Sequence, residues 1–368
     1  MIEVRQADTI EALVEYRRDW NRLLAETPGA VFFQSLDWLE LYWRYYTAGQ
    51  KLRVLIVRDG HEVQGIVPLV VRREKTRVGR LAVLGYPLDN WASFYGPVGP
   101  RPAETLHAAL GHVRRDERDW DILELRWVGA PETDADATGR AMREAGFQAI
   151  RTVWDRTALV DCTAGWEAYW ASRDADWRRN LRRAERKLRQ AGRARFVRFR
   201  PGEPDAPRDD PRWDLYEACQ RVAARSWQAQ ATDGTTLTHA QVRDFLRDVH
   251  GAAVAAGAVD LNLLLVDDEP VAFAYNYVLA GRVCGLRAGF DAEQFQHGAG
   301  TLLLAEAIRG SFARGDRWYD LGAGSLEAKR YFQTEWRPIF RFSHYHPGTL
   351  RAQLLRARRW AQSRRTGG

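Results

Sequence analysis

The residues whose types and spacing are best suited to chemistry lie in the second half of the chain. The stretch Gln294-Phe295-Gln296-His297-Gly298-Ala299-Gly300 stands between a predicted strand and an apolar helix that begins at Thr301. Glycines in such a turn let backbone N–H groups face a ligand at the positive end of the helix, an arrangement that holds pyrophosphate. The same turn also serves as a plain connection, so spacing alone leaves both readings open. Lys329 follows the last predicted parallel strand, on the side where open α/β sheets place their ligands. An ammonium there can meet a phosphate or stabilise a developing oxyanion, or it can be a solvated lysine on a short helix. His297 and His344 are candidate bases, but neither has an orienting partner in sequence. No paired carboxylates and no Ser-His-Asp order can be assigned from spacing, so no general base is legible. Asp320-Leu321-Gly322-Ala323-Gly324 invites comparison with the glycine motif of methyltransferases. Only about forty residues follow it, too few for the further strand-helix units that such a fold needs.

These candidates need a scaffold, and the composition supplies one. The 368 residues are 45% hydrophobic, enough for one large or two ordinary cores, and disorder as a whole is excluded. The net charge of +7 suggests an anionic partner or substrate, and with only Lys51, Lys75, Lys187 and Lys329 as lysines it is almost wholly arginine. Cys162, Cys219 and Cys284 are far apart, with no C-x-x-C pair and no histidine at ligand spacing, so neither a zinc site nor a disulfide framework is expected. The N-terminus has no cationic stretch before an apolar one, and no apolar run approaches the roughly 18 residues of a membrane span. A cytoplasmic protein without integral membrane association is expected.

Along the chain, a hairpin is predicted over residues 52–57 and 63–71, and a second over 261–266 and 271–279, where Val271, Phe273, Tyr275, Tyr277 and Leu279 alternate with Ala272, Ala274, Asn276 and Val278. Each hairpin continues into a third strand (80–85; 282–290), a loop, a helix (103–117; 301–314) and a further strand (121–126; 317–321). This order reads as an internal duplication of one α/β unit. Between the halves, Leu181, Ala184 and Leu188 recur at helical spacing within a strongly basic segment. The expected fold class is mixed α/β, as two tandem domains over residues 1–160 and 161–350, with a basic tail over 351–368.

A strand, a glycine loop and a helix in this order resemble the acyl-CoA-binding segment of GNAT acetyltransferases. Gly298 and Gly300 match that family's glycines, and Phe295 stands where Gln or Arg is usual. Phe33-Gln34-Ser35 with Trp38, the helix at 178–183, Ser226-Trp227, and Tyr319-Asp320-Leu321-Gly322 followed by Lys329-Arg330 are similar to the CelD-type acetyltransferases, which are related to the Fem aminoacyl transferases. Tyr95-Gly96-Pro97-Val98 resembles the Gly-Pro stretch of Fem proteins. The likeness spans most of the chain and implies two fused GNAT domains.

It also implies an acyltransferase that moves an acyl group from acyl-CoA, acetyl or longer, to an amine or hydroxyl of a small-molecule or peptide acceptor. Gln296, His297, Gly298, Ala299, Gly300 and Thr301 would hold the donor, Trp227 and Arg287 would touch substrate, and Lys329 would be catalytic. No metal is implied. The basic helix and the arginine-rich tail, residues 350–365, have the phosphates of coenzyme A, an acyl carrier protein, transfer RNA or an anionic membrane surface as candidate partners, with a plain solvated face as the alternative, and DNA is not expected. Two alternatives remain at this point: a Fem-like transferase using aminoacyl-tRNA, and a GNAT pair that has lost catalysis and acts as a scaffold.

Overall fold

The structure is a computed structural model that describes residues 2–87, 91, 94–116, 118–203, 206–226, 229, 236–291, 298–322 and 326–366. In chain order the elements are β1 (Ile2–Ala7), α1 (Arg17–Glu26), α2 (Leu36–Tyr46), β2 (Gln50–Asp59), β3 (Glu62–Thr76), β4 (Gly79–Gly85), α3 (Pro102–Arg115), β5 (Ile122–Val128), α4 (Ala135–Glu144) and β6 (Ile150–Asp161). There follow α5 (Trp166–Ser172), α6 (Ala175–Ala191), β7 (Ala194–Phe199), α7 (Trp213–Arg225), α8 (Arg243–Ala255), β8 (Val259–Val266), β9 (Glu269–Leu279) and β10 (Arg282–Phe290). The last are α9 (Ala299–Arg314), β11 (Trp318–Asp320), α10 (Leu326–Lys329), β12 (Glu335–Tyr345) and α11 (Leu350–Thr366).

The chain divides into two compact units, Met1–Asp155 with Pro338–Gly368, and Arg156–Arg337. In the first, the strand order is β1-β2-β3-β4-β5-β12, and in the second it is β7-β8-β9-β10-β11-β6. Every pairing within these orders is antiparallel except one in each, β4 with β5 and β10 with β11. Both units are therefore the same mixed sheet with a parallel pair in the same place, the duplication that the hairpin patterns imply.

The sequence reading cuts the chain near 160 and groups residues up to 350 with the second half. The division instead falls inside β6 and β12, because each of these strands follows one unit's helices and completes the other's sheet. Val160 pairs with Tyr319, and His344 pairs with Leu123. The stretch from 351 onward is likewise no loose tail. It forms α11, whose Ala352 and Leu355 are buried with Leu81, Val83, Ile122 and Tyr345. Arg359 of that helix reaches the buried carboxylate of Glu124 and the Tyr345 hydroxyl.

In the second unit, β9 shows why the alternating pattern is a strand with two buried faces. Ala272, Ala274 and Val278 pack in the cluster with Leu302, Leu303 and Ile308 of α9, while Tyr275 on the other face meets His250 of α8. The basic segment is α6, capped by the Asp174 carboxylate, which accepts from the Trp177 N–H at 2.7 Å. Its stripe of Trp177, Leu181 and Leu188 enters the α9 cluster, so its arginines are left on the other side. Among the described residues no helix is long and apolar enough to cross a membrane.

Candidate active site

The parallel pair of the second unit is short. Arg282, Val283 and Cys284 of β10 pair with Trp318, Tyr319 and Asp320 of β11, after which β11 ends and β10 runs on to Phe290. The result is a wedge opening beyond the end of β11, on the carboxyl side where ligands of open sheets are bound. A shift of register between Gly285 and Arg287 in the pairing of β10 with β9 marks a bulge at the mouth of that wedge. A bulge leaves one residue outside the ladder and turns backbone groups away from the neighbouring strand.

Two glycines line the mouth. A Cβ on Gly285 would lie 3.0 Å from the carbonyl oxygen of Asp320, and one on Gly322, whose φ is +76°, would lie 3.4 Å from the carbonyl oxygen of Gly285. The turn after β11 is fixed by Asp320, whose buried carboxylate accepts from the Gly322 N–H and from the Thr157 hydroxyl. Lys329 returns to this turn: its Nζ donates to the Gly322 carbonyl at 2.8 Å. Arg287, just past the bulge, is half-buried and donates from Nη1 to the Leu286 carbonyl at 2.8 Å.

At the far end of β10, Gly298 is the N-cap of α9, with φ +90°, and the N–H groups of Ala299, Gly300 and Thr301 occupy the first turn, where a helix has no acceptors of its own. Gly298 also lets α6 approach, since a Cβ there would be 3.4 Å from the Ala184 methyl. Gly300 packs on the strand instead, because its Cβ would stand 3.0 Å from Cδ1 of Phe290. Gly300→Val should therefore lower stability by about 1–3 kcal/mol through overpacking. Urea denaturation checks this, and an unchanged midpoint would mean that the Phe290 ring yields at no cost. Gln296, His297 and Trp227 lie outside the described residues. Arg182, Arg183, Arg186 and Lys187 are exposed on α6, the helix that meets Gly298.

The corresponding opening in the first unit is closed by its own chain. Tyr95 donates its N–H to the Trp127 carbonyl of β5 at 2.8 Å, and Val98 exchanges two 2.8 Å bonds with Ile66 of β3. Phe94, Tyr95 and Val98 are buried there. The Phe33-Gln34-Ser35…Trp38 motif holds this segment in place. The Gln34 amide donates to the Gly96 carbonyl at 3.1 Å, while the Ser35 hydroxyl caps α2 by accepting from the Trp38 N–H. Beside the segment remains a cavity of about 190 Å³, with Glu132, Asp134 and Pro102 in its lining. Pro102 at the start of α3 brings no N–H, and carboxylates repel phosphate. The pairing of β4 with β3 has no bulge.

Two histidines can be given structural roles. His344 accepts at Nδ1 from the Gln148 N–H and is packed by Trp120 and Phe147, and burial pushes its pKa down to about 4. His250 is fully buried between the Tyr275 hydroxyl at 2.8 Å and the Pro211 carbonyl at 2.6 Å, and burial likewise holds it near pKa 4. Both are neutral at physiological pH. The sequence reading passed over Gly285, the bulge and the Asp320–Thr157 contact. A lone glycine in an otherwise regular strand was the available signal, since it marks a bulge or a close backbone approach.

Residues 175–331 match the family model of the acetyltransferase (GNAT) domain. No curated protein matches the chain in sequence. Among solved structures, that of FemX is 12% identical, with 93% of this chain and 97% of that one covered and a TM-score of 0.62. The C-terminal DUF2156 domain of a candidate lysylphosphatidylglycerol synthetase from Agrobacterium fabrum is 13% identical, with 95% and 96% covered and a TM-score of 0.55. A conserved protein of unknown function from Bacteroides thetaiotaomicron is 10% identical, with 94% and 100% covered and a TM-score of 0.51. At such identities the likeness is one of fold. The family match lies in the second unit, and the first repeats its strand order, so the GNAT fold occurs twice in tandem.

Proposed function

We propose that this tandem GNAT chain, with its acetyltransferase (GNAT) domain at residues 175–331, binds an acyl-CoA along β10 of the second unit and transfers the acyl group to an amine or hydroxyl. The observation that carries this reading is the difference between the two wedges. One is filled by residues 94–98 of its own chain, whereas the other has a bulged strand, a glycine-capped helix and a lysine around it.

From Gly285 to Phe290 a strand advances roughly 15 Å, five rises of about 3.3 Å less the bulge. An extended pantetheine arm is of comparable length, and its amides can pair with β10 as an added strand would. The pyrophosphate would then meet the first-turn N–H groups of Ala299, Gly300 and Thr301. The thioester would reach the mouth, where Lys329 faces it. Attack by the acceptor forms an N–C or O–C bond, and charge builds on the thioester oxygen. Collapse breaks the C–S bond, and the thiolate takes up the proton that the acceptor loses. The chain's part is to align the two substrates and, through Lys329, to hold the oxyanion. Arg287, two residues along β10 from Gly285, is the candidate contact for the acceptor.

An aminoacyl-tRNA donor is the second reading, favoured by the FemX-like fold and by the exposed Arg182, Arg183, Arg186 and Lys187 on α6. Thermal unfolding separates the two. A saturating acyl-CoA, at about a hundred times its Kd, should stabilise the native protein by about 2.7 kcal/mol. Stabilisation by aminoacyl-tRNA and not by any acyl-CoA would transfer the case to the second reading, and silence toward both would leave a scaffold.

A further inference from the structure

Helix α11 is attached to the first unit by one face only. Ala352 and Leu355 are buried, and Arg359 is paired with Glu124. The opposite face carries Leu350 and Leu354, 75% and 50% exposed, continued at helical spacing by Ala357 and Ala361, which are also exposed. This apolar stripe is bordered on one side by Arg351 and Arg358. On the other side stand Arg356, Trp360 and Arg364, with Trp360 58% exposed and the Arg364 guanidinium 4.1 Å from its ring centroid. No Asp or Glu occurs between 350 and 366. The turn between β3 and β4 adds exposed Arg77, and its Gly79 and Val78 lie against Arg351 and the buried side of α11. Among the described residues, Arg77, Arg351, Arg356, Arg358 and Arg364 have no carboxylate partner.

We infer that α11 seats the protein on an anionic phospholipid surface. An exposed leucine stripe between two rows of arginine, with a tryptophan at its edge, has the profile of a helix lying in the bilayer interface. The arginines answer the negative charge of phosphates, and the leucines enter the boundary of the acyl chains. A polynucleotide would use the charge but leave Leu350 and Leu354 in water, so the apolar stripe favours lipid over nucleic acid. The face is independent of the second-unit wedge, since all of its residues belong to the first unit.

Co-sedimentation of the full chain with vesicles tests the inference. Vesicles of phosphatidylcholine mixed with phosphatidylglycerol should bind the protein, those of phosphatidylcholine alone should not, and added salt should release it. Arg356→Ala and Arg358→Ala should each weaken partitioning about fivefold, the effect of one interfacial arginine. Leu354→Glu should remove binding. Leu354, Arg356 and Arg358 are exposed and lie outside the buried cluster of Ala352 and Leu355, so thermal melting should match the parent. Should Leu354→Glu melt early, Trp360→Ser makes the same test. Equal binding to neutral vesicles, undiminished binding by Leu354→Glu or Trp360→Ser, or capture of single-stranded RNA with no vesicle binding would each overturn the assignment.

Discussion

Lys329→Ala is expected to fold and yet to lose about 10² to 10³ in turnover, the usual effect of removing one preorganised charge from a developing oxyanion. The ammonium is held where it would act, by a 2.8 Å bond to the carbonyl of Gly322. That carbonyl belongs to the turn locked by Asp320 and Thr157, and Gly322 in turn lies against Gly285 at the mouth of the parallel pair. Losing the bond to Gly322 removes a hydrogen bond from a charged group at a half-buried site, worth about 1.5–3 kcal/mol, so a drop in melting temperature should accompany the loss of rate. The two effects are separable because Lys329→Arg restores a charge and a donor to the turn. Its planar guanidinium presents that charge in a different direction, so it should recover stability fully and turnover only in part. The kinetic division is also informative. A charge that acts on the transition state lowers kcat and kcat/KM together, whereas one that only holds donor phosphate raises KM. Full turnover in Lys329→Ala, or a loss of rate no larger than its loss of folded protein, would remove Lys329 from the mechanism.

What the sequence conveyed about this site follows from the range of its signals. The hairpins of β2 with β3 and β8 with β9 are local, and their alternating residues and polar turns are readable because strand and partner are neighbours. The same holds for α6, where a 3.6-residue stripe needs only its own helix, and for α9, an apolar run that follows a glycine turn. β6 and β12 carried no such mark. Their partners, β11 and β5, are more than 150 residues away, and segments such as Ile150–Asp161 mix charged and β-branched residues without a clean period. The exchange of these strands is thus what sequence could not show, and it moved α11 from a presumed tail into the first unit. Among the candidate residues, the placement of Gly298 before a helix and of Lys329 after a strand was legible because both are local features. The closure of the first wedge was not, since Tyr95 and Val98 reach backbone partners on two strands that no side-chain pattern names.

Glu124→Gln should destabilise the first unit by about 3 kcal/mol and flatten its response to acid. Glu124 is 1% exposed on β5, within reach of Arg126, Arg359 and Arg341, and it accepts from the Ser343 hydroxyl at 3.0 Å. Burial alone would raise its pKa, but the charges of Arg126, Arg359 and Arg341 outweigh burial and bring it down from 4.5 to about 2. A shift of that size corresponds to about 3 kcal/mol, and the amide leaves Arg359 and Arg341 facing a neutral partner while Arg126 keeps Glu74. Because the folded pKa lies below the unfolded one, the unfolded chain takes up the proton first as pH falls. The contribution is therefore complete above the ordinary glutamate range and disappears between about pH 5 and pH 2. For a unit of this size, 3 kcal/mol corresponds to about 6–12 °C in Tm at neutral pH. The parent should approach the variant as the medium is acidified, while the variant changes less over the same interval. Melting curves from pH 7 to pH 2 would show it, followed at α11, whose Arg359 loses its anchor in the variant and whose docking face should loosen with it. A parent and variant that melt together at pH 7, or that keep a constant separation down to pH 2, would mean that the arginine cluster finds its compensation elsewhere.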